Sequence, residues 1–170
     1  DSIDSELLHK EKNDPYAVSK YECEQGLQAI SARSKMGVVI IRPPLVYGRG
    51  VKANFNSLLK LTKTNLPLPF SGIENKRSFV FVKNLVSLIV LTIEHPNAVG
   101  EIFLVSDGED ISTSKLIELI YIKSDKKVKL FKMPRIFFKL TLIFIGKTSI
   151  FNRLFENLQV DISGTQKKLG

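Results

Sequence analysis

The chain has 170 residues, 44% of them apolar and 25% charged, with a formal net charge of +8; this is the profile of about one folded domain with a real core, not of a disordered segment. The lone cysteine, Cys23, excludes an internally stapled scaffold and favours a reducing, cytoplasmic setting, and two histidines, His9 and His95, offer no metal-ligand spacing. The polar first 14 residues contain no signal peptide, no apolar run reaches the roughly 18 residues of a membrane span, and the scattered basic residues lack the aromatic interleaving of a nucleic-acid module, so neither an integral membrane protein nor a nucleic-acid partner is expected.

In chain order, Asn13-Asp14-Pro15 reads as a cap followed by proline in a first helical turn, and the helix should run to about Met36, where Gly37 ends it. Tyr16, Lys20, Cys23, Leu27 and Ile30 recur at spacings of 4, 3, 4 and 3 and so share one face, which marks Cys23 as a small buried hydrophobe. Val38-Val39-Ile40-Ile41 is a continuous β-branched run of the kind found in strands covered on both faces, and Pro43-Pro44 stops it. A loop through Gly48 and Gly50 leads to a helix over about 54–64, then to a proline-rich extended stretch over 66–72.

Residues 78–82 read as a short strand, 84–94 as a helix and 101–105 as another strand. Ser112 opens a helix carrying Leu116, Ile117 and Ile120, 128–131 is strand-like, and beyond Pro134 the chain is helical and very apolar. Phe137 to Ile145 suggests membrane contact beside basic residues, but it is too short to span, and a buried helix is the expectation. Helices alternating with buried strands predict an α/β fold.

Three features could carry chemistry. Tyr16 and Lys20 stand four apart on the first helix, so ammonium and phenol can be neighbours; a cation beside a phenol favours phenolate, which a general base needs. The pair alone is not distinctive, since roughly 0.4 chance matches are expected in this composition. Gly48-Arg49-Gly50-Val51-Lys52-Ala53 formally fits a dinucleotide-binding glycine turn, but Pro43 to Tyr47 separate it from its strand, and no acidic strand end follows at the proper place. Arg77, just before a strand-like run, has the planar fork that suits phosphate.

Taken together, three stretches occur in the order and spacing of one family: Asp14-Pro15-Tyr16-Ala17-Val18-Ser19-Lys20-Tyr21-Glu22, Arg42-Pro43-Pro44-Leu45-Val46-Tyr47-Gly48-Arg49-Gly50, and Arg77-Ser78-Phe79-Val80-Phe81-Val82-Lys83-Asn84-Leu85. The chain resembles the extended short-chain dehydrogenase/reductases, the NAD-dependent epimerase/dehydratase family, and in particular nucleotide-sugar 4-epimerases. The ending Val160-Asp161-Ile162-Ser163 with Lys168-Leu169-Gly170 is similar to that family's C-terminal signature. The resemblance implies the C-terminal part of a Rossmann-type parallel sheet plus a small mixed α/β substrate-binding lobe. Residues 1–50 would be the tail of the NAD-binding domain, and 51–170 mainly the lobe.

The same resemblance implies roles. Tyr16 would take the proton from a sugar hydroxyl while hydride passes from that carbon to NAD, and Lys20 would favour its phenolate and hold the nicotinamide ribose. Pro43 and Pro44 would line the nicotinamide pocket, Asn54 and Arg77 would contact the substrate diphosphate, and Leu68 to Phe70 would cradle the nucleotide base. The substrate would be a nucleotide-diphosphate sugar, probed as a UDP-sugar, inverted at C4 through a 4-keto intermediate, and a homodimer of the full-length enzyme is compatible with the family. Leu45 replaces an asparagine common in relatives, Asn84 replaces a usual aspartate, and the family's N-terminal half, with its glycine loop and catalytic Ser or Thr, is not represented; Ser2 and Ser5 are poor substitutes. The 170 residues alone are therefore expected neither to turn over substrate nor to bind NAD tightly. Within the family the alternative is a 4-keto-sugar reductase or dehydrogenase, and outside it a non-catalytic, membrane-associated binding module.

Overall fold

The computed structural model describes residues 15–50, 54–64, 66–146 and 148–170. The Asn13-Asp14 cap, His9, Ser2 and Ser5 lie outside the described residues. Helix α1 (Pro15–Arg33) carries proline at its first position, where the missing N–H has no helical partner to lose. Strand β1 (Ile40–Arg42) follows, Pro43-Pro44 interrupts it, and the chain re-enters extended structure as β2 (Leu45–Tyr47), which the sequence had offered only as loop. Helix α2 (Asn54–Lys63) and strand β3 (Leu68–Ser71) come next, then β4 (Phe79–Phe81) running directly into helix α3 (Val82–Glu94). Strand β5 (Ile102–Leu104) precedes helix α4 (Thr113–Lys123), whose cap Ser112 accepts a hydrogen bond from the Lys115 amide at 3.1 Å. Strand β6 (Leu130–Lys132), helices α5 (Arg135–Phe144) and α6 (Thr148–Phe155), and a final helix α7 (Ser163–Leu169) complete the described chain.

The strands form three parallel pairs, β1 with β5, β2 with β4 and β3 with β6. Parallel neighbours need a crossover rather than a hairpin, which is why every pair joins strands separated by at least one helix. In the first pair Ile40 sits opposite Ile102 and Arg42 opposite Leu104; in the second, Leu45 sits opposite Phe79 and Tyr47 opposite Phe81. Helix α7 is fastened to β5 by the Thr165 hydroxyl, which donates to the Leu104 carbonyl at 2.7 Å, and by the Lys168–Glu101 ion pair.

Helix α4 organises the core because its apolar residues fall on two adjacent i, i+4 rows. Ile117 and Tyr121 enter the larger cluster with Leu68, Phe70, Ile73, Phe138 and Phe151. Leu116 and Ile120 enter a smaller one with Phe79, bordered by Leu45, Tyr47 and Phe55. Leu58 of α2 touches both.

Two expectations fail on burial. Cys23 is exposed, and no residue of α1 is buried. Helix α5 is not a buried helix either. Phe138 turns inward, but Ile136, Phe137, Leu140, Ile143 and Phe144 all face solvent. Helix α3 is similar, with Val86, Ile89, Val90, Leu91 and Ile93 exposed and Thr92 buried.

Ile117→Ala is expected to destabilise the fold by about 2–5 kcal/mol, since it empties a fully enclosed site. The hydroxyl of Tyr121 is buried without a hydrogen-bond partner among the described residues. Tyr121→Phe should therefore cost nothing or stabilise by about 1 kcal/mol. Urea unfolding of the two variants checks both.

Candidate functional site

Tyr16 lies in the first turn of α1 and Lys20 one turn later. The ammonium of Lys20 stands 5.6 Å from the Tyr16 ring centroid, and Tyr16 is 69% exposed. The helical row continues to Glu24, whose carboxylate is gripped by the Arg42 guanidinium: Nε lies 3.2 Å from both oxygens and Nη2 lies 2.6 Å from Oε2. This fork geometry is the strong form of a charge-assisted contact, and both partners are mostly shielded from water. Arg42 ends β1, so the clamp fixes the Tyr16–Lys20–Glu24 row against the strand end where Pro43 and Pro44 follow. Pro43 is exposed and Pro44 half-buried. The Glu24–Arg42 contact was not anticipated, although the continuation of the i+4 row from Tyr16 through Lys20 to a carboxylate was its available signal.

A second cluster braces the next strand pair. The Asp107 carboxylate accepts hydrogen bonds from the Tyr47 hydroxyl at 2.8 Å, the Asn84 side-chain amide at 2.8 Å and the Phe81 amide at 3.1 Å. Burial, then the hydrogen bond and charge of Asp107, push the Tyr47 phenol up to about 12. Asn84 can donate to Asp107, which an ionised aspartate at that position could not, so the departure from the usual residue is matched by its partner. Gly48 has φ of 131°, and a Cβ there would come within 2.7 Å of Val82 Cγ1 and 2.9 Å of Phe81 Cε2. Glycine at 48 is thus required by packing against the β4–α3 junction; residues 51–53, the rest of the glycine-turn pattern, lie outside the described ones.

Arg77 sits in a seam between two other segments. Its backbone exchanges hydrogen bonds with Ile111 at 3.2 and 3.0 Å, and Nη1 donates to the Glu156 carbonyl at 3.2 Å. Burial pushes its guanidinium down from the ordinary value while the Glu156 charge works in the opposite direction. Leu68 and Phe70 are core residues with buried side chains, so any contact from β3 to a ligand must come from its backbone, Pro69 or Ser71. Asn54 is the first residue of α2. Leu45 packs against the smaller core cluster, which accounts for an apolar residue there. The structure thus brings Tyr16 and Lys20 together, sets Pro43-Pro44 at the strand end to which their helix is clamped, and gives Leu68 and Phe70 to the core.

Parallel strand pairs with helical crossovers, bearing a Tyr–Lys pair on an exposed helix, define an α/β protein of Rossmann type. Residues 1–106 match the model of the NAD dependent epimerase/dehydratase family, and the chain belongs to that family. It is 49% identical over 158 residues to a UDP-glucose 4-epimerase of Vibrio cholerae, covering 92% of this chain and 48% of that protein. It is 28% identical over 118 residues to a dTDP-4-dehydro-6-deoxyglucose reductase of Escherichia coli, covering 66% of this chain and 37% of that protein. The fold matches the UDP-glucuronic acid 4-epimerase of Bacillus cereus, solved in complex with NAD, with a TM-score of 0.68 at 20% identity, over 92% of this chain and 46% of that one. The chain therefore spans less than half the length of each of these proteins.

Glu24→Gln should lower stability by about 1 kcal/mol, as expected for a partly exposed forked pair, and added salt should shrink the difference; denaturant melts at two salt concentrations measure it. The raised Tyr47 phenol contributes stability that is fully present below about pH 10, its unfolded value, and is lost as pH rises through about 12. Tyr47→Phe should remove that component of the alkaline loss, read from melting temperature against pH.

Proposed function

We propose that the full-length protein is an NAD-dependent nucleotide-sugar 4-epimerase acting on a UDP-sugar. The observation that carries this is the Tyr16–Lys20 pair, exposed and held by the Glu24–Arg42 clamp. In this reading the Tyr16 phenolate accepts the proton of the sugar C4 hydroxyl as that carbon is oxidised to the ketone, and returns it when the opposite face is reduced. Lys20 favours the phenolate and donates hydrogen bonds to ribose hydroxyls. The exposed phenol and ammonium fit the ribose end of NAD, and Pro43-Pro44 at the clamped strand end fit an apolar nicotinamide wall. When bound, NAD supplies the hydride acceptor and donor.

Asn54 and Arg77 are assigned to the substrate diphosphate, with Arg77 as its charge-assisted donor, and the stretch from Leu68 to Phe70 to the nucleotide base through its backbone. Residues 1–50 are read as the tail of the cofactor domain and 51–170 as mainly the substrate lobe, and the pyrophosphate end of NAD is assigned to a part of the protein beyond these residues. Two observations support that division. Gly48 is used for packing, and apolar residues of α1 and α3 such as Leu27, Ile30, Val86 and Val90 are exposed while β1 has a single strand partner among the described residues.

Tyr16→Phe in the full-length protein should lower kcat about 10²–10⁴-fold while leaving the fold intact; unchanged activity would sink the assignment. Arg77→Ala should raise KM for the nucleotide sugar more than it lowers kcat. Assays with a panel of UDP-sugars separate the two chemistries. An inverted sugar with no net change in cofactor is the expected result, and stoichiometric NADH consumption would instead mark a reductase, the activity named for the Escherichia coli relative.

A further inference from the structure

Residues 126–155 contain eight lysines and arginines and no aspartate or glutamate. The remaining 17 basic residues of the chain are matched by its 17 acidic ones, so the whole formal excess of +8 resides in this stretch. It folds as β6, α5 and α6, and α5 is apolar on two sides. Phe138 and Leu142 face the larger core. Ile136, Phe137, Leu140, Ile143 and Phe144 face outward, Phe144 at 94% exposure; at 3.6 residues per turn these five fall within an arc of roughly 120°. Cations border that arc on the α6 side. Arg135 stands 5.3 Å from the ring centroids of both Phe151 and Phe155, and Lys139 stands 5.9 Å from that of Phe151. Exposed Lys132 ends β6, three residues before Arg135 opens the helix.

We propose that this face of α5 is a docking surface for an anionic lipid bilayer, with the apolar arc entering the headgroup boundary and Lys132, Arg135 and Lys139 meeting lipid phosphates. A helix with an apolar outer face bordered by basic residues lies in the plane of a membrane interface rather than across it, and no helix among the described residues is long and apolar enough to cross one. Charge complementarity selects this occupant over a second copy of the chain. A two-fold interface centred on α5 would set a stretch with no carboxylates against itself, whereas an anionic leaflet attracts each cation.

Sedimentation of the full-length protein with phosphatidylcholine vesicles, with and without phosphatidylglycerol, tests the proposal. The expected result is binding about tenfold or more tighter to the anionic vesicles and weakened by salt. Phe137→Ser with Phe144→Ser should reduce binding about tenfold or more, and Lys132→Gln with Lys139→Gln should remove the preference for anionic lipid. These four side chains are exposed, and an unchanged melting temperature establishes that each variant is folded. Failure to bind, equal salt-insensitive binding to both vesicles, or dissociation of an oligomer by Phe144→Ser with vesicle binding unaltered would each overturn it.

Discussion

The structure depends on the need of buried polar groups for partners, and this need is concentrated in the segment from Asn75 to Ser78. Asn75 is buried, and its side chain donates to the Leu154 and Glu156 carbonyls at 3.1 Å while accepting from the Thr113 amide at 2.9 Å. Ser78, also buried, donates to Asp110 at 2.6 Å and accepts from the Val160 amide at 2.9 Å. Backbone bonds from Arg77 to Ile111 and from Ser78 to Leu158 complete the seam. Stretches far apart in the chain are thereby held in one place, and neither can leave without exposing unsatisfied donors to a low-dielectric interior. Both core clusters lie against the elements this seam joins: α4 begins at Thr113, β4 at Phe79, and α6 ends at Phe155.

The seam also bears on the chemistry. Arg77 lies within it, so its position is set by backbone pairing on two sides. In the role proposed for it toward the substrate diphosphate, a guanidinium held this way would lose little freedom on meeting its ligand. The Tyr16–Lys20 row depends on a different contact. Helix α1 buries no residue, and the forked Glu24–Arg42 pair ties it to β1. One region of the chain is thus held by a satisfied polar network between hydrophobic clusters, and the other largely by parallel strand pairing and an ion pair.

Much of this was legible along the chain. The helices over 15–33, 54–63, 82–94 and 113–123 fall close to the stretches the sequence marks, with Pro15 and Ser112 setting two of the starts, because local caps and turn residues act within a few residues. Strand β2 was not legible. Leu45 to Tyr47 is three residues long after two prolines, and it is a strand because Phe79 to Phe81 lies beside it. The exposure of α1 and α5 is not legible for a related reason. An apolar face in the sequence states what a helix could bury, not whether a neighbour is there to cover it, and Cys23 and Phe144 are both exposed.

The sequence by itself determined the helical row of Tyr16 and Lys20, the arrest of β1 by Pro43-Pro44, and the family to which these ordered motifs belong. All three are local matters of spacing and residue type. Tertiary structure alone decided that Glu24, on that same row, is locked by Arg42, 18 positions away. It also decided that Tyr47, Asn84 and Asp107 share one cluster, and that Leu68 and Phe70 belong to the core. Each of these joins residues whose separation in sequence carries no geometric information until strands have paired and polar groups have found their partners.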